Sequence, residues 1–172
     1  DGANIGYVSG DYLSSSGGIT LSVPLYRQFD SRWASVTLGS SGKTMASIGC
    51  TTTCLAMCES YRTGTTITPA AMEAKLSYTA SGALYWPSNY VVGSPSSYLT
   101  SIYYLLKEGK PVIIGMKNSY GATHWVVVTG MTSTVISAGN FLINDPGNEN
   151  RFTLADLIAD YPIFMRIAYY TN

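Results

Sequence analysis

Histidine is nearly absent from this sequence: His124 is the only one in 172 residues. A side chain that acts as general base near neutral pH is therefore first sought at His124. Charge is scarce as well. Ten Lys and Arg balance ten Asp and Glu, only 12% of the chain is charged, and the formal net charge is zero. No electrostatic face of the kind that draws nucleic acid is expected. Long apolar runs are missing too. The longest, 111–116 and 125–128, are short and β-branched, well below the roughly eighteen residues of a membrane span. Cysteine is confined to Cys50, Cys54 and Cys58. Steps of four on one helix set their side chains parallel, which suits neither a disulfide framework nor the Cys-x-x-Cys turns that converge on zinc. No metal or organic cofactor is called for.

What the chain does have is organised in blocks. Its length suffices for one domain with its own core. Residues 5–13 read as a strand-like segment and 14–18, Ser-Ser-Ser-Gly-Gly, as a linker, so the expected organisation is an N-terminal arm over 1–18 and a domain over 19–172. The segment Gly6-Tyr7-Val8-Ser9-Gly10-Asp11-Tyr12-Leu13 resembles the closing strand of bacterial Src-homology-3-like domains. An extended arm packed on the main domain is the other reading. The sequence opens at Asp1 without Met or an apolar leader, and is expected to be a mature form or a fragment. Its low charge and many Ser, Thr, Tyr and Gly residues fit an extracellular or cell-wall-associated bacterial protein.

Local signals place helices first and strands second. Residues 21–26 read as an edge strand that tolerates Pro24. A helix runs from Cys50 to about Tyr61, with Cys54, Leu55, Met57 and Cys58 as its apolar face and Gly64 as its stop. Thr68-Pro69 and Ser94-Pro95 each pair an N-cap with a first-turn proline, and Gly109 ends the second of these helices. Strands follow at 111–116, 124–130, 140–144 and 163–170, with a short helix capped by Thr153. This order argues an α+β domain with an antiparallel sheet in its second half. The run Gly39-Ser40-Ser41-Gly42-Lys43-Thr44 ends like a phosphate loop, but its glycines are three apart rather than five, and it reads as a loop bordering a cleft.

Four residues carry candidate chemistry. A cysteine in the first turn of a helix sits near unpaired backbone donors and the positive end of the helix dipole, which favours thiolate at Cys50. Cys54 and Cys58, one and two turns on, read as core. His124 opens the β-branched run His124-Trp125-Val126-Val127-Val128 where strand meets loop. Asp145, in Asn144-Asp145-Pro146-Gly147, ends a strand able to lie beside it, and its carboxylate can orient the imidazole while also serving as a turn residue. Gln28 offers a side-chain amide to a developing oxyanion.

Gln28, Gly49-Cys50, His124-Trp125-Val126-Val127-Val128-Thr129-Gly130 and Asn144-Asp145-Pro146, in this order, resemble the papain-like cysteine peptidases of family thirty-nine, the bacteriocin-processing, double-glycine type. The resemblance runs from about Val23 to the C-terminus. It implies a papain-like fold, with Cys50 as nucleophile, His124 as general base and acid, Asp145 as orienting carboxylate and Gln28 as oxyanion donor. The implied substrate is a peptide, and the Src-homology-3-like resemblance of residues 6–13 adds a peptidoglycan-like molecule as a candidate. Two departures bear on substrate scope: Thr51 stands where many members have glycine, and a long segment, 31–48, separates Gln28 from Cys50. A non-catalytic binding module with Tyr85, Trp86, Tyr90, Tyr103 and Tyr104 along a groove is the rival from another class. Another family of peptidoglycan-cleaving cysteine hydrolases is the rival within the enzymes.

Overall fold

β-Branched and aromatic residues dominate the second half of the chain, and there the computed structural model, which describes residues 17–171, builds its sheet. The elements are β1 (Ile19–Thr20), α1 (Met45–Ile48), α2 (Cys50–Thr63), α3 (Pro69–Glu73), β2 (Tyr90–Gly93), α4 (Tyr98–Lys107), β3 (Val112–Lys117), β4 (Thr123–Met131), β5 (Phe141–Asn144), α5 (Leu154–Asp160) and β6 (Ile163–Tyr170). The strands form a sheet in the order β1-β4-β3-β6-β2, with β5 also paired to β4. Every pairing is antiparallel. This is the α+β arrangement expected from the order of local signals.

Helices cover both faces of the central strands. Ile102 and Leu106 of α4, with Leu154 and Leu157 of α5, pack on Ile114, Met116, Val126, Val128 and Ile167. Leu55, Ala56, Met57 and Cys58 of α2 pack on Ile113, Val127 and Ala168. Alternate residues of β3 and β4 thus serve opposite layers, which is why these strands read as unbroken apolar runs rather than as alternation. Full burial of each such aliphatic side chain contributes about 1.5–3 kcal/mol. Residues 52–60 of α2 are all buried, so this helix is core on every side rather than amphipathic.

Several local expectations are corrected. Residues 21–26 are not a strand: Leu21 donates to the Thr129 carbonyl at 2.9 Å, but Val23 donates back to Leu21 at 2.7 Å. That tight turn lifts the chain off the sheet after Thr20. Ser94-Pro95 does not start α4, whose first residue is Tyr98. Ser94 instead donates through Oγ to the Met165 carbonyl at 2.7 Å, tying β2 to β6. Thr68 does cap α3, and Thr153 caps α5 within a capping box closed by Asp156. The 39–44 run is a turn between bridge partners Thr37 and Thr44, with Gly39 and Gly42 at positive φ. β2 and the short α1 carried no sequence signal strong enough to find them. The strand-like 5–13 segment lies outside the described residues. Among the described residues no helix is long and apolar enough to cross a membrane.

Candidate active site

Gly49 serves at once as C-cap of α1 and N-cap of α2. A Cβ there would strike the Met45 carbonyl oxygen, so glycine is what allows the two helices to meet this closely. Cys50 is thereby the first residue of α2, half-buried, whereas Cys54 and Cys58 behind it are fully buried. The Cys54 thiol donates to the Trp125 carbonyl at 3.3 Å. That contact fastens the first turns of α2 to the start of β4, the strand that carries His124.

Register explains how Asp145 reaches His124. β4 and β5 pair Val127 with Asn144. Continued one step, this sets Asp145 opposite Val126, on the face that His124 shares at a spacing of two, a diagonal neighbour. The His124 Nε2 and Asp145 Oδ1 atoms are 2.7 Å apart, and the pair is buried. The same Oδ1 accepts the backbone N–H groups of Gly147 at 2.7 Å and Asn148 at 3.0 Å. The turn chemistry of Asp-Pro-Gly and the orientation of the imidazole therefore use one carboxylate.

Charges in this cluster favour an ion pair. Burial works against the thiolate of Cys50, yet the hydrogen bond and charge of His124, helped by the Trp125 backbone and the Thr51 hydroxyl, hold the thiol below its ordinary value. Burial likewise opposes the imidazolium, but Asp145 and then Cys50 raise His124 to about 9. Asp145, despite its burial, is held below the usual carboxylate range by His124, the Gly147 N–H and Arg151. Burial pushes the Cys54 and Cys58 thiols up instead. A thiolate facing an imidazolium is a nucleophile with its proton donor already in place.

Gln28 lines the same cleft. Its backbone N–H donates to the Pro146 carbonyl at 2.9 Å, and its Nε2 donates to the Ala46 carbonyl at 2.9 Å. The amide nitrogen carries two hydrogens, so one remains for an oxyanion. Its Oε1 is buried with no hydrogen-bond partner among the described residues. Gly147 closes the floor: a Cβ there would lie 2.8 Å from His124 Cε1 and 3.3 Å from Gln28 Oε1.

The cleft has a volume of about 660 Å³. Leu38, Lys43, Ser47 and Ile48 line it, so part of the long 31–48 segment forms one wall. Thr51 also lines it, with its hydroxyl 3.9 Å from the Cys50 sulfur. Of the aromatic set, Trp86 alone reaches the cleft, packed 5.4 Å from the Trp125 ring. Tyr90 is core, Tyr103 packs at the edge of the core, and Tyr85 and Tyr104 are exposed elsewhere. Three residues of the site had no signal in the sequence. Arg27 donates to the main-chain carbonyls of Asp145 and, at 2.7 Å, Asn148. Arg151 Nη1 donates to Asp145 Oδ2 at 3.0 Å. Tyr161 lies against the imidazole with ring centroids 5.5 Å apart.

A family model described as the Peptidase_C39 like family matches residues 20–167. No curated protein and no solved structure matches the chain.

Proposed function

Because the chain belongs to the Peptidase_C39 like family, a papain-like cysteine peptidase family, we propose that it is a thiol-dependent hydrolase of peptide or amide bonds acting through Cys50, His124 and Asp145. In this reading the Cys50 thiolate attacks the scissile carbonyl, and the second Nε2 hydrogen of Gln28 with the Cys50 backbone amide receives the oxyanion. The imidazolium of His124 protonates the leaving amine. Water, deprotonated by the now neutral imidazole, then releases the acyl group and restores the thiol. Asp145 holds the ring and stays ionised throughout. The observation that carries the reading is geometric: Cys50 at the start of α2 and His124, held by Asp145 at 2.7 Å, line one cleft, and the thiol is held down and the imidazole up in keeping with it.

Substrate class is read from the walls. Lys43 lines the cleft, and no Asp or Glu does so among the described residues; this favours neutral or acidic peptides over basic ones. We take the protein as secreted and cell-wall peptides as candidate substrates, on the low-charge, hydroxyl-rich composition and the Src-homology-3-like resemblance of residues 6–13. The test is digestion of a mixed peptide library and of purified peptidoglycan by wild type and by Cys50→Ala. Hydrolysis lost in the variant with its thermal melt unchanged is the expected result. Equal hydrolysis by both proteins would overturn the assignment of Cys50. A wild type that binds these molecules without cutting any of them would favour the binding-module reading, for which the engagement of Gln28 by Ala46 is the supporting observation.

A further inference from the structure

Beside the three residues of the proposed site lies an arginine to which that mechanism gives no part. Arg151 stands two residues before the cap of α5 and is almost enclosed, its side chain 13% exposed. One end of its guanidinium donates to Asp145 Oδ2 at 3.0 Å, and Nη2 donates to Asp160 Oδ2 at 2.6 Å. Its Cζ lies 5.3 Å from the centre of the Tyr161 ring, the ring that also rests on His124. Short as it is, α5 sets Arg151, ahead of its N-cap, beside Asp160 and Tyr161 at its C-terminal end. Asp156 accepts the N–H groups of Phe152 and Thr153, which fixes the backbone just after Arg151, while Asp160 and Tyr161 lie at the far end. The arginine therefore spans the helix from one end to the other and reaches the catalytic carboxylate from the side opposite the imidazole.

We propose that Arg151 is a positioning residue for the active site, which, braced by Asp160 and Tyr161, holds the Asp145 carboxylate ionised and aimed at His124. The proposal rests on the peptidase reading above. Its physical content is a division of labour between the two oxygens of Asp145. Oδ1 takes His124 and two backbone N–H groups, whereas Oδ2 takes Arg151. Without the guanidinium, the buried carboxylate loses its fixed cation and its geometric stop together. The groups facing Asp145 are His124 on β4, Cys54 on α2, Arg27 from the loop after β1, and Arg151 itself, with Cys50 beyond the imidazole and Asp160 and Tyr161 behind the arginine. Arg27 meets only the main-chain carbonyl of Asp145 and does not replace Arg151 at Oδ2. Removing a cation from such a cluster raises the proton affinity of its neighbours, so every titration in it moves to higher pH.

The experiment is the rate at which iodoacetamide labels each cysteine, resolved by peptide mass, between about pH 4 and 9 in wild type, Arg151→Gln, Arg151→Met and Arg151→Lys. In the two neutral variants the acid limb of Cys50 labelling is expected to move up by about half a pH unit, which slows labelling about threefold below the limb. Arg151→Lys keeps the charge but not the fork, and its limb is expected to fall between wild type and the neutral variants. A purely structural role would lower the melting temperature without moving the limb. If a neutral variant is marginal, the scan is repeated in sucrose, which favours the folded state. Limbs of both neutral variants that superimpose on wild type would overturn the proposal while leaving the peptidase reading intact. A wild-type Cys50 that labels no faster than Cys54 and Cys58 would instead overturn the peptidase reading, and this proposal with it.

Discussion

Gly147 is the position where a single methyl group should be felt most. Its N–H helps hold Asp145, and its α-carbon lies so close to the imidazole that a Cβ would sit 2.8 Å from His124 Cε1. The ring is wedged between that carbon and Tyr161, and it cannot give way without leaving Asp145. Gly147→Ala is therefore expected to cut the reactivity of Cys50 at neutral pH by about a hundredfold, the scale of an ångström's misplacement, and to lower the melting temperature, since the displaced ring leaves a buried carboxylate short of a partner. Iodoacetamide labelling beside a thermal melt checks this, and unchanged labelling would contradict the geometry. The residues of this site differ in how readable they were. Cys50, His124 and Asp145 stand at breaks in the local pattern, a helix start and two strand ends, where a reactive side chain has reason to be. Arg151 and Tyr161 stand at no such break. They reach the site only because α5 folds back beside β4, a tertiary fact that residue spacing does not encode.

At the scale of elements, the junction of α1 and α2 decides where Cys50 points. The two helices share Gly49 as cap, and any side chain there runs into the Met45 carbonyl, a backbone atom that cannot step aside. Gly49→Ala is expected to destabilise the fold by about 1–3 kcal/mol, as overpacking does, in urea unfolding. Gly93→Ala, at the end of β2 with open space around the new methyl, is the matched control, expected to change stability by no more than about 0.5 kcal/mol. Similar losses in both would show that the close helix approach is not what Gly49 provides. Long elements such as α4 and β6 were legible because pattern and packing agree in them. The 21–26 segment misled because its apolar residues satisfy the core from a turn, and β2 was hidden because only its partner β6 makes Tyr90–Gly93 a strand.

For the whole molecule, the sheet holds β4 and β5 while α2 brings Cys50 against their ends. This joins a thiol held below its ordinary value and an imidazole held above its own. The raised imidazole and the lowered thiol pull the pH dependence of stability in opposite directions. The raised imidazole contributes stability that is lost as pH rises through about 9. The depressed thiol contributes stability that is present above its unfolded value and lost as pH falls through its native one. The two slopes have opposite signs and offset where both titrations are in play. Direct titration of the imidazole avoids that cancellation, and because His124 is the only histidine its ring signals need no assignment by mutation. The decisive measurement is therefore the NMR titration of His124 in wild type and in Cys50→Ala. A titration near 9 in wild type that falls in the variant is the predicted result, since the variant keeps Asp145 but loses the facing thiolate. A wild-type imidazole that titrates near its ordinary 6.5, unmoved by loss of Cys50, would contradict the ion pair on which the account rests.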